Sequence, residues 1–141
     1  MQGRITPENI VTLEPNQIFI FGSNTQGRHG KGAAKTALNK FGAIWGRDDG
    51  LQGRSYGIAT VASHRITHNL SKLPLDQVQV RVRRFIRFAT EYPELHFLVT
   101  AIGCGLAGYK PEDIAPMFKD APENVRLPQS FWDVLAALPS S

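Results

Sequence analysis

Seven glycines of this chain fall in two short clusters, each following an apolar run, and these clusters are where its residues suggest chemistry. In the first, Ile18-Phe19-Ile20-Phe21 leads into Gly22, Gly27, Gly30 and Gly32, and then into a stretch rich in alanine and lysine. A strand that delivers glycines to a helix N-terminus makes a seat for an anion. The helix dipole and its unpaired N–H groups point at the ligand, and missing side chains let phosphate oxygens approach. In the second cluster, the apolar run 96–102 is followed by Gly103-Cys104-Gly105-Leu106-Ala107-Gly108-Tyr109. Around them stand further candidates. Lys31 and Lys35 can neutralise phosphate, and Asn24 sits between strand and glycines. His29 is a loop histidine able to carry a proton near neutral pH. Cys104 reads as a small residue lining its loop, with a thiolate nucleophile as the reactive alternative. Asp48 and Asp49 are the paired carboxylates nearest the first cluster. They read as turn residues or as contacts to ligand or water. Trp45 and Tyr56 suit loop anchoring and core, or stacking on a base.

Several nucleotide and metal motifs are absent. The residue after Gly27 is Arg28, so the lysine of a P-loop is missing, and the spacing is not GxGxxG. His64 and His68 are four apart, but Arg65 stands where a zinc-protease helix has glutamate. One cysteine and four scattered histidines predict no metal site and no internal disulfide.

The elements that must position these residues alternate. Strands are predicted over 17–22, 55–61, 96–102 and 124–127, and helices over 32–41, 74–92, 110–118 and 129–138. The 42–54 excursion, rich in glycine and charge, reads as a loop and 62–73 as irregular. In the long helix Leu75, Val78, Val82, Phe85, Ile86 and Ala89 share a face, with the arginines mostly off it. Strands alternating with helices predict a single α/β domain over residues 1–141. Its architecture should be three α/β/α layers, with a mixed, mostly parallel sheet covered by helices on both faces. Ligands in such sheets lie beyond the carboxyl ends of the strands, so both glycine clusters should line one crevice.

The net charge of +4 suits a phosphate-bearing partner. Arg81, Arg83, Arg84 and Arg87 crowd the long helix, which makes RNA binding an alternative role. No recognised RNA module accompanies them. No apolar run reaches the ~20 residues of a membrane span, and the first residues do not form a leader. The expectation is a soluble cytoplasmic protein without a membrane partner.

The order of these segments resembles the macro domain family, whose members bind ADP-ribose. IFIFGSNTQGRHGKGAAKTALNKFG looks like the family's first strand, loop and helix. SYGIAT looks like its central strand, and FLVTAIGCGLAGYKPEDIAPMF like its last strand, phosphate loop and following helix. HGKGAAKTALNKFG and AIGCGLAG are closest to the branch that includes terminal ADP-ribose glycohydrolase.

That resemblance implies a three-layer macro-like fold, no cofactor, and ADP-ribose or an ADP-ribosylated macromolecule as partner. In the first loop it assigns ligand contacts to Gly22, Ser23, Asn24, Gly30, Lys31 and Gly32, with Thr60 at the end of the central strand. In the second it assigns Ile102, Gly103, Cys104, Gly105, Leu106, Ala107 and Gly108 to the diphosphate and Tyr109 to the distal ribose. Asn24 would face that ribose and position a water, with His29 as the other catalytic candidate. Three departures bear on catalysis. Ala34 stands where one branch has an aspartate, and GCGLA places Ala107 where the glycohydrolase branch has another. Val61-Ala62-Ser63 lacks that branch's lysine. The resemblance therefore implies binding more than hydrolysis, with a non-catalytic ADP-ribose reader as the alternative to a hydrolase.

Overall fold

A computed structural model describes residues 4–139. The chain forms a mixed six-stranded sheet with helices on both faces, an α/β/α sandwich. In chain order the elements are β1 (Gln17–Asn24), α1 (Gly32–Lys40), β2 (Gly50–Gln52), β3 (Ser55–Ser63), β4 (Leu70–Lys72), α2 (Leu75–Glu91), β5 (His96–Val99), α3 (Pro111–Ile114), a 3-10 turn (Ala115–Phe118), β6 (Val125–Arg126) and α4 (Gln129–Ala136). The strand order is β2-β3-β1-β5-β6, with β4 also on β3. The central pairs β3–β1, β1–β5 and β5–β6 are parallel, while β2 and β4 run antiparallel to β3.

β1 explains the layering. Its side chains alternate between faces, and both faces are covered. Ile18 and Ile20 join Ile58, Phe97 and Val99 against α2 and the elements from α3 to α4. Phe19 and Phe21 join Ala34, Ala37 and Phe41 of α1 and its exit. α2 buries Val78, Val82, Phe85 and Ala89, an i, i+4, i+7, i+11 stripe. Phe85 is the hub of the larger core, edge-on to Tyr56 and Phe97 at centroid distances of 5.2 and 5.4 Å. Its truncation to alanine should cost about 3–5 kcal/mol. No helix among the described residues is long and apolar enough to cross a membrane.

Four expectations are corrected. The 42–54 segment contains β2, which pairs with the start of β3. The 62–73 segment is a hairpin arm, because β3 continues to Ser63 and Leu70–Lys72 returns along it. The third strand stops at Val99 instead of 102. There the Thr100 hydroxyl and N–H both donate to the Ile20 carbonyl, and the chain turns at Ile102. The helix expected over 110–118 tightens to 3-10 geometry after Ile114. Pro116 has no N–H to continue an α ladder and its ring crowds the carbonyl four residues back.

Candidate functional site

Beyond the carboxyl ends of β1, β3 and β5 lies a cavity of about 440 Å³, within the range of small-ligand sites. Gly22, Ser23, Asn24, Gly30, Lys31 and Gly32 line one side. Ile102, Gly103, Gly105, Leu106 and Ala107 line another, and Thr60 lies between. Thr60 is placed by an irregularity. The β1–β3 register steps from Ser23↔Ala59 to Asn24↔Val61, so Thr60 is the extra residue of a bulge, the device that re-aims side chains near sites. Gly22 packs against it. A Cβ there would lie 3.6 Å from Thr60 Oγ1 and 3.8 Å from the Gly103 nitrogen, which shows how closely the two loops approach.

The walls are rich in unused donors. α1 starts after Lys31 with no side-chain cap and no acidic residue in its first turn. The N–H groups of Gly32, Ala33 and Ala34, the orphans of that first turn, have no partner among the described residues. In the second loop Cys104, Gly108 and Tyr109 donate to Ala101, Gly105 and Gly103 carbonyls, while Gly103, Gly105, Leu106 and Ala107 donate to nothing among the described residues. The lining contains Arg28, Lys31 and His68 but no aspartate or glutamate. A cleft with two sets of spare backbone donors and only basic charge favours an anion.

Two of the glycines have no backbone reason to be glycine. Gly30 and Gly105 have ordinary φ, and a Cβ on either would meet nothing within 4 Å. By contrast Gly103 has φ of +76°, and a Cβ would press on Ile114 at 3.1 Å. The fold demands glycine at 103. At 30 and 105 nothing in the fold requires it.

Asn24 holds the first loop together. Its Oδ1 accepts from the N–H groups of Gln26 and Arg28, both at 3.1 Å, and its Nδ2 donates to the Arg28 carbonyl at 2.8 Å. Both acceptor positions are filled, so one amide N–H remains to meet a ligand, and no lone pair remains to take a proton from water. His29 is also corrected. It is fully buried and outside the cavity lining, edge-on to Phe21 at 5.2 Å and to the exposed Trp45 at 6.4 Å. Its Nε2 lies 3.0 Å from the Arg47 carbonyl, which can only accept, so the proton is on Nε2 and the buried Nδ1 is unpartnered. Burial lowers its pKa below the usual 6.5, opposed by the bond to Arg47. A buried imidazole held neutral is a poor proton carrier for a ligand it does not face.

Other candidates settle into structural roles. Cys104, Gly108 and Tyr109 lie outside the lining. The Tyr109 hydroxyl donates to the Leu73 carbonyl, and Lys72 Nζ sits 4.6 Å over its ring. Burial, then Asp113 and Glu112, push the Cys104 thiol pKa up. Tyr56 is core, its phenol pushed up to about 12 by burial, with Asp49 adding and Arg84 opposing. Asp48 and Asp49 do not line the cavity, and Asp49 pairs with Arg81, which removes one cation from the basic helix surface. Lys35 is exposed on α1, away from the lining. His64 and His68 lie in the β3–β4 turn, where His64 Nδ1 accepts from the N–H groups of Ile66 and Thr67. Among the described residues no group of metal-ligating side chains forms.

Arg28, Ser63, His68, Leu70, Thr100 and Ala101 line the cavity without having been assigned to a ligand site by sequence. Only Arg28 carried a signal, as a cation inside the glycine loop.

No protein-family model matches the chain, and no curated protein is detectably similar to it in sequence. A solved structure, that of a protein of unknown function from Bacteroides thetaiotaomicron, matches it with a TM-score of 0.58. The match covers 83% of this chain and 88% of the other at 16% identity. What the two proteins share is therefore the fold.

Proposed function

We propose that the protein binds ADP-ribose, free or attached to a macromolecule, in the cavity between the two glycine loops. One observation carries this reading. Two sets of unpartnered backbone N–H groups, at residues 32–34 and in the 103–107 loop, belong to one cavity whose charged lining is only basic. A diphosphate is a ligand that needs several converging donors at close range, and Gly30 and Gly105 leave room for it. The resemblance of both loops to those of macro domains supplies the nucleotide.

The reading is of a binding module rather than a hydrolase. Hydrolysis of an ADP-ribose bond calls for a group that takes a proton from water or gives one to the leaving oxygen. The lining offers no carboxylate, the Asn24 oxygen is saturated, and His29 is buried outside it. Calorimetric titration with ADP-ribose, with AMP, ADP and polyadenylate as controls, tests the proposal. Selective binding of ADP-ribose is expected. Equal affinity for ADP would reduce the site to a diphosphate seat, and no binding would end the reading. Turnover of ADP-ribosylated protein above background would overturn the non-catalytic half alone.

A further inference from the structure

Arg28 is the cavity's least explained residue, because a partly buried cation stands there without a counter-ion. Its Nη1 donates to Ser63 Oγ at 2.7 Å and to the His64 carbonyl at 3.0 Å, and its Nη2 to the Arg65 carbonyl at 2.7 Å. All three acceptors are neutral. Among the described residues Arg28 makes no salt bridge, and no acidic side chain lines the cavity. The bonds fix the guanidinium between the first loop and the β3–β4 turn without neutralising it.

The donors left over have a defined shape. A guanidinium has five N–H groups, and three are engaged here. The two left over are Nε–H and one of the two Nη2–H groups, and Nε and Nη2 together form one edge of the plane. That edge is the fork that grips two oxygens of a phosphate or carboxylate at once. Because the rest of the group is already bonded, little side-chain freedom is lost when an oxyanion arrives.

The geometry points to Arg28 as a specificity-determining binding residue, whose free Nε/Nη2 edge clasps a phosphate oxyanion of the ligand. It does so separately from the backbone donors of α1 and the 103–107 loop. The inference rests on the reading of the cavity as a nucleotide diphosphate site, and it adds which side chain selects for the anion. Lysine in this position would keep the charge but lose the fork.

The test compares wild type with Arg28→Gln and Arg28→Lys, titrated with ADP-ribose and with inorganic pyrophosphate, alongside the melting temperature of each free protein. Loss of about tenfold or more in affinity for both probes in Arg28→Gln is expected, with Arg28→Lys between. A lower melting temperature with affinities within twofold of wild type would make Arg28 a tie between loops only, and overturn the clasp. If Arg28→Gln does not fold, Arg28→Lys decides, since wild-type affinity there excludes the fork. Arg28-dependent binding of pyrophosphate without any binding of ADP-ribose would leave the clasp standing and sink the nucleotide reading. Binding of neither probe overturns both.

Discussion

The Asp49 carboxylate accepts the N–H of Ala59 at 2.8 Å, at the point on the outer edge of β3 where β2 has ended and β4 has not begun. β2 pairs with residues 55–57 and β4 with residues 61–63, which leaves a fully buried Ala59 with no strand beside it on that outer edge. A side chain fills the gap in the ladder. Its second oxygen is held by Arg81 Nε of α2 at 3.0 Å, so one carboxylate ties loop, sheet and helix together.

Replacing Asp49 with alanine strands the Ala59 N–H and should cost about 1–3 kcal/mol in a denaturation experiment. Arg81→Ala leaves the Ala59 bond in place. It removes only a partly exposed ion pair, so its cost should stay within about 1 kcal/mol. The order of the two effects is the prediction. If Arg81→Ala costs as much as Asp49→Ala, the ion pair rather than the ladder gap is what matters.

His29 should make the fold sensitive to mild acid. Burial lowers its pKa in the folded state below the 6.5 of the unfolded chain, so between those values the unfolded chain binds more protons. Stability is then complete above about pH 6.5 and falls as pH drops through the folded-state value. The orphaned Nδ1 has no acceptor to meet a new proton. Denaturation midpoints from about pH 7.5 to about pH 5 should show this slope in wild type and a flatter profile in His29→Phe. Parallel profiles would assign the slope to other groups.

The sequence discloses the layers and the glycine loops because both leave local marks. Ile18 and Ile20 against Phe19 and Phe21 give a strand apolar on both faces, and the stripe from Val78 to Ala89 gives a helix. What stays hidden is set by partners far away in the chain. β4 is three exposed residues without apolar alternation, and only the edge of β3 makes it a strand. Arg28 acquires its role from acceptors 35–37 positions on. Asp49 looks like a turn residue until Ala59 is seen to lack a neighbour. His29 sits in a polar loop whose sequence gives no hint that Phe21 and Trp45 enclose it.

Cys104 should be unreactive. Burial raises its thiol pKa, and Asp113 and Glu112 add to the shift, so at neutral pH the thiolate fraction is below that of free cysteine. Modification by a disulfide reagent at neutral pH should be slower than for a free thiol. Cys104→Ser should leave ligand affinity unchanged, as the residue lies outside the cavity lining. Rapid labelling, or loss of binding in the serine variant, would reopen a chemical role for the second loop.

Two glycines of that loop, Gly103 and Gly105, separate folding from binding. Gly103→Ala forces a side chain into a φ of +76° and against Ile114 at 3.1 Å, so it should lower stability by at least about 1 kcal/mol. Gly105→Ala has ordinary φ and open space, and loses the entropy of a flexible unfolded residue. Its stability should match wild type or exceed it by up to about 1 kcal/mol. In the proposed site the added methyl group would then stand beside the unpartnered N–H of residue 105. A Gly105→Val variant, larger still, should keep a wild-type melting curve while ADP-ribose affinity falls at least tenfold. Unimpaired affinity in both Gly105 variants would mean that nothing approaches the loop closely, and the diphosphate would have to sit elsewhere.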